Sequence, residues 1–243
     1  MPLTRPPSPK KGHHDGPCPS PDDDGDWFGS VWLSGQAVTS PLWVPQVLLD
    51  DDYEAEALFP RFPYDHTPGH LMIDEFASPA RRWGARLDVE YTDDFDRLQG
   101  VGGHLLVSTT SRWGVDASMA WLDERLPGGR RDHLWLGDCN LVFRFAQSER
   151  AEFRAGAGVN WLDDPGRTDL GVNFTYAADF FPRRPWVVSG AIDWGTLGRA
   201  ELFRFRATAG VLIRGLEVYA GYEYLDVDRT QRNALVAGVR VWH

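Results

Sequence analysis

The sequence predicts an all-β fold: a closed, antiparallel, up-and-down β-barrel of about ten strands behind a mostly irregular N-terminal extension. Three observations predict it. From residue 82 onward apolar and polar residues alternate with period two, the mark of strands with one apolar face. The alternating runs are about nine to fourteen residues long and are broken by clusters of Asp, Gly, Pro and Arg, with no helix-length periodic segment among them. On the apolar face, aromatic residues recur at a fixed spacing near both ends of several runs.

Three zones follow along the chain. Residues 1–26 are rich in Pro, Asp, Gly and His, carry almost no apolar side chains, and are expected to be a disordered tail. His13, His14 and the run Asp22, Asp23, Asp24 read as solvated polar groups rather than a metal site. An exported chain carries an apolar stretch of some 7–15 residues after its basic N-terminal residues. None follows Lys10 and Lys11, so the expectation is either a translation start placed elsewhere or a chain that is not exported. Residues 27–80 form an irregular or partly helical segment, a plug or periplasmic packing element. Trp27, Phe28, Val31, Trp32 and Leu33 give a short helical-looking patch, and Pro41, Pro45, Pro60, Pro63 and Pro68 discourage long regular structure after it. Asp50, Asp51 and Asp52 lack the spaced ligands of a calcium loop and read as a solvated turn. Residues 81–243 are the barrel, with strands expected near 82–92, 99–110, 112–122, 132–146, 150–162, 168–181, 185–195, 200–213, 215–225 and 232–242.

Alternation alone does not say which face points outward, because turning a barrel inside out preserves it. The aromatics decide. The apolar face of the first strand reads Trp83, Ala85, Leu87, Val89, Tyr91, and that of the third Trp113, Val115, Ala117, Met119, Trp121. Phe153 and Trp161, and Trp186 and Trp194, repeat the spacing, and Trp135 and Phe143 do so on the fourth strand. Eight residues at ~3.3 Å, tilted by ~40°, span roughly 20 Å along a barrel axis. That approaches the ~25 Å apolar band, bordered by two aromatic girdles, of an outer-membrane barrel. Tryptophan and tyrosine suit such a boundary because an apolar ring carries a polar tip. The small residues between them suit lipid and would fill a soluble core poorly. The opposite parity holds Arg86, Asp88, Glu90, Asp116, Asp138, Arg144, Glu152, Arg154, Asp193, Arg204, Arg206, Glu217, Glu223 and Arg240. Facing inward, these predict a lumen filled by paired charges, in a barrel of structural or small-solute-passage type. The longer links would lie on one rim and the tighter turns, together with both barrel ends, on the other. The alternative is a soluble, lipocalin-like barrel whose tryptophans line a cavity for an apolar ligand.

Composition removes other classes. With 35 acidic against 25 basic residues the net charge is −10, which argues against a nucleic-acid partner. Cys18 and Cys139 make no disulfide framework. No phosphate loop, zinc spacing, dinucleotide glycine pattern or nucleophile elbow is present, so no cofactor, metal or enzymatic activity is expected. The best catalytic grouping is His104 and Ser108 on the second strand with Glu90 on the first, and its spacing is poor for a nucleophile, base and orienting carboxylate.

Leu235, Ala237, Val239 and Val241 alternate towards the chain end, which resembles the C-terminal assembly signal of bacterial outer-membrane β-barrel proteins. That family usually ends in Phe or Trp, whereas here Trp242 sits one place early and on the other face. The stretches Ser40–Trp43 and Phe59–Tyr64 also resemble those of uncharacterised planctomycete barrel proteins. The resemblance implies an outer-membrane location, with the lipid bilayer and the barrel-insertion machinery as partners.

Overall fold

The computed structural model describes residues 40–51, 56–73, 80–96, 98–125, 131–164, 166–228 and 230–243. The expected tail at 1–26 and the apolar patch at Trp27–Leu33 lie outside them. Ten strands form the barrel: β3 (Trp83–Asp93), β4 (Leu98–Thr109), β5 (Trp113–Arg125), β6 (Arg131–Ser148), β7 (Ala151–Asp164), β8 (Arg167–Arg183), β9 (Trp186–Leu197), β10 (Ala200–Ile213), β11 (Leu216–Val227) and β12 (Thr230–Trp242). Every neighbouring pair is antiparallel and consecutive in sequence, and β12 pairs with β3 to close the cylinder. Closure leaves no sheet edge unpaired. The predicted strand count and order hold, and most boundaries differ from the alternating runs by a few residues, as strand ends do when they extend past the apolar stretch.

Parity governs the faces. Along β12 exposed and buried residues alternate almost without break: Leu235, Ala237, Val239 and Val241 are exposed, and Val236, Arg240 and Trp242 are buried. The tight rim carries the turns at 110–112, 149–150, 184–185 and 214–215. Arg214 and Gly215 both have positive φ (53° and 85°), the two-residue turn whose twist matches antiparallel strands. Arg112, at φ 68°, sits at the end of a three-residue turn.

The segment before the barrel docks on this rim. Its two short strands, β1 (Ala57–Leu58) and β2 (Met72–Ile73), pair with each other, and Phe59 bridges to Arg81. The His70 and Leu71 amides donate to the carbonyl of Glu149 at 2.8 and 3.5 Å, and the Tyr64 hydroxyl donates to that of Trp186 at 2.6 Å. Phe59 reaches into the barrel mouth over Gly84, where an added Cβ would stand 2.6 Å from its ring. A helix falls within the segment expected to be irregular or partly helical, and one expectation is corrected. Residues 40–49 are helical (α1) despite two prolines: Pro41 occupies the first turn, where its missing N–H has no intrahelical acceptor, and Pro45 is buried. Asp51 is not solvated, because Arg112 grips it with two nitrogens at 2.7 and 2.9 Å and the Gln147 amide donates to it at 3.1 Å.

Candidate functional site

The candidate site is the lumen. Arg86, Asp88, Glu90, Asp116, Asp138, Arg144, Glu152, Arg154, Asp193, Glu217, Glu223 and Arg240 are buried, and Arg204 and Arg206 are partly so. Each takes part in an ion pair across the barrel interior, because a charge taken out of water persists only where an opposite charge and hydrogen bonds replace its hydration.

The pairs stack in levels from the tight rim towards the loops. Lowest, Arg144 Nε donates to Gln147 at 2.8 Å and its Nη1 lies 3.7 Å from Glu152. Next, Arg86 Nη1 donates to both oxygens of Asp179 at 3.0 and 2.9 Å, and Arg154 shares that carboxylate while donating to Glu152 at 3.2 Å. Arg240 donates to Asp88 at 2.9 Å and to Glu217 at 3.0 Å, and Trp242 Nε1 reaches the other Glu217 oxygen at 2.8 Å. Higher, Arg204 joins Asp193 and Asp138 at 2.9 and 2.8 Å, while Arg206 forks onto Glu90, which also accepts from Tyr219 at 2.8 Å. Glu223 stands 3.9 Å from both Arg206 and Arg232, held loosely between them.

Several of these links cross the cylinder. β3 and β8 stand on opposite sides of the ten-stranded circle, yet Arg86 meets Asp179. The lumen is therefore bridged at that level. Among the described residues, voids of about 60 and 30 Å³ lie within it, each room for only a few waters.

Apolar clusters lie at both ends. At the loop rim Leu136, Leu197, Leu202 and Leu225 form one cluster inside the barrel, and since β6 and β11 are also opposite, that cluster reaches from one side of the lumen to the other. At the tight rim Tyr64 packs with Phe181, Val187, Leu212 and Trp242. His70 sits among Trp242, Phe181 and Phe59, with ring centroids 4.8, 5.3 and 5.7 Å away. Burial lowers the pKa of His70 to about 4 and raises that of Tyr64 to about 12, so both are neutral near pH 7.

The aromatic set faces outward. Trp83, Tyr91, Trp113, Trp121, Trp135, Trp186 and Trp194 are exposed, and Phe143, Phe153 and Trp161 half-exposed. Trp121 pairs with Trp135 and Trp113 with Phe143, so the two levels of rings coincide on adjacent strands. None of these rings lines the interior. The inward tryptophan is Trp242, on the face its sequence position predicts.

The catalytic grouping that read poorly in the sequence is not brought together. His104 Nε2 lies 2.6 Å from Asp116 and its Nδ1 3.5 Å from Asp88, Glu90 is held by Arg206 and Tyr219, and Ser108 pairs in register with Gly84 and Gly114, four residues along β4 from His104. Sequence reasoning passed over Asp179, the carboxylate that Arg86 and Arg154 share, together with Tyr219 and Arg232, whereas it placed Asn140 on the inward face. Asp179 lies at inward parity in β8 with Asn173, Thr175 and Ala177, and extending the parity reading through that strand finds it.

No protein-family model matches the sequence, and no curated protein matches it. Solved structures with a similar strand arrangement include OmpTdeltaL8, a loop L8 deletion mutant of OmpT, an outer membrane protein of Vibrio cholerae (12% identity, 64% of this chain and 62% of that one, TM-score 0.36). Neisserial surface protein A (9%, 65% and 96%, TM-score 0.35) and Ail, the attachment invasion locus protein of Yersinia pestis (12%, 66% and 96%, TM-score 0.31), are further examples. The chain thus spans just under two thirds of the first. These likenesses concern the barrel fold alone.

Proposed function

We propose that the chain is an integral outer-membrane β-barrel of structural type, with a lumen closed by ion pairs and by an apolar layer at each end. One observation carries this reading: the outside of the cylinder bears large exposed apolar side chains all the way round, while the charges lie inside. Leu87, Val101, Val115, Leu141, Val159, Val172, Val188, Phe205, Val218 and Val239 are exposed, one on each barrel strand. Soluble monomers seldom expose contiguous apolar patches beyond a few hundred Å², and a continuous belt calls for lipid. The outward Trp and Tyr residues then serve as its two girdles, and the lipid bilayer is the chain's principal partner. The inward residues from Arg86 to Arg240 serve as packing for a bore that would otherwise be wet, and neither catalysis nor solute passage is assigned to them. Delivery by the barrel-insertion machinery follows from the same reading, with the outward face of β12 presented to it.

Cys139 provides the test. It is free and exposed, midway along β6 on the outward face. In a Cys18→Ser background reconstituted into vesicles, Cys139 should resist a membrane-impermeant maleimide and react with a lipid-soluble one. Ready labelling by the impermeant reagent would favour a water-exposed exterior and defeat the reading. In planar bilayers the protein should show no stable conductance, and a persistent ohmic channel would instead favour solute passage.

A further inference from the structure

The tight rim holds a basic groove that the lumen network does not use. Arg150, from the β6–β7 turn, and Arg183 and Arg184, from the β8–β9 turn, line a groove of about 510 Å³ with Tyr64, Thr67 and Pro68 of the docked segment. All three arginines are exposed, and among the described residues none of them forms an ion pair. The acids next to these residues in the chain, Asp65 and Glu149, are not part of its wall. Asp65 lies 3.6 Å from His66. The hydroxyls in its wall are already engaged, Tyr64 to the Trp186 carbonyl and Thr67 to that of Gly69 at 2.9 Å. That leaves the guanidinium groups as the available side-chain donors. The wall is also pinned: Tyr64 and His66 are held at φ 67° and 63°, and the Tyr64 amide donates to Gly69 at 2.6 Å. A cluster of uncompensated guanidinium forks on a fixed wall suits an anion with several oxygens, since each fork offers paired donors to a tetrahedral oxyanion.

We propose that this groove binds a phosphate group, either in the headgroup of an anionic phospholipid or as soluble phosphate. The lipid source rests on the membrane reading above, because Trp186, next along the chain from Pro185, would then place the groove at headgroup depth. The phosphate chemistry itself does not rest on it.

The test uses the full chain in detergent and in vesicles, with Arg150, Arg183 and Arg184 changed together to alanine, or together to lysine as the charge-keeping control. Retention of phosphatidylglycerol against phosphatidylcholine is read by native mass spectrometry, and inorganic phosphate is titrated while tryptophan fluorescence is followed. The expected result is about a tenfold preference for phosphatidylglycerol, lost in the alanine variant and partly kept in the lysine variant. Failure of phosphate to compete would assign the lipid, and competition would assign soluble phosphate. Equal retention of both lipids with no phosphate response, or a preference that survives in a folded alanine variant, would overturn the proposal. A chain that fails to enter vesicles but still binds phosphate would count against the membrane reading alone.

Discussion

On the closed-lumen reading proposed above, the two ends of the lumen are sealed by different means. At the loop rim the seal is made by the barrel's own strands: leucines from β6, β9, β10 and β11 meet across the bore. At the tight rim Tyr64, Phe59 and His70 come from a segment that precedes the barrel and docks beneath it. Charge differs as well. Asp93, Asp94, Asp96, Asp163, Asp164, Asp226 and Asp228 crowd the loop rim, whereas Arg150, Arg183, Arg184 and Arg214 mark the tight rim. A seal made of strand side chains opens only if the cylinder deforms. A seal made by a docked segment can in principle leave while the cylinder stays closed.

The largest effect is expected where the two halves meet. Asp179→Ala should destabilise the barrel by about 3–5 kcal/mol, read by urea unfolding in detergent, because it strands Arg86 and Arg154 without their shared carboxylate. Loss under 1 kcal/mol would mean that water reaches this level and that the lumen is open. Next, Leu202→Ala should cost about 3 kcal/mol at the loop seal, and the loss should appear in unfolding of the whole cylinder. If only the loops became protease-sensitive, the contrast between the two seals would fail.

At the tight rim the expected effect depends on pH. The pKa of His70 is lowered from 6.5 to about 4, first by burial and against the pull of Glu152 and Asp179, with Arg144 and Arg86 adding to the fall. Between those values the undocked segment binds a proton that the docked one refuses. Stability of docking is therefore full above pH 6.5, declines as pH falls towards 4, and is level below that. The loss should be on the order of 3 kcal/mol. Hydrogen exchange of residues 57–73 should rise over this window while the strands stay protected, and His70→Leu should flatten the profile. Uniform exchange of segment and strands would show that the two ends are not independent. The smallest effect is expected outside. Leu87→Ala should change stability by less than about 1 kcal/mol in lipid, since the side chain trades one apolar contact for another.

Much of this architecture is legible in the chain. The run from Trp113 to Trp121 gives a strand, its direction of facing and both aromatic levels, and Asp116 between them gives an inward charge. The segment at 27–80 was far less legible. Its Pro-rich stretches carry no period, so neither α1 at 40–49 nor the grip of Arg112 on Asp51 announces itself. His104 shows the same limit inside the barrel. Its parity predicts an inward ring, yet its partners Asp116 and Asp88 come from register on both sides, and Ser108 on its own strand is too far along to help.

The sequence by itself determined the number of strands, their order and which side chains face in, because a two-residue period and short connections leave an antiparallel chain little other choice. Tertiary structure alone decided that Arg86 meets Asp179, that Arg204 meets Asp138, and that residues 57–73 close one mouth. Hairpin register fixes only neighbours along the sheet. Contacts across the bore depend on how far the strands slide past one another when the cylinder closes, and no local pattern of residues encodes that distance.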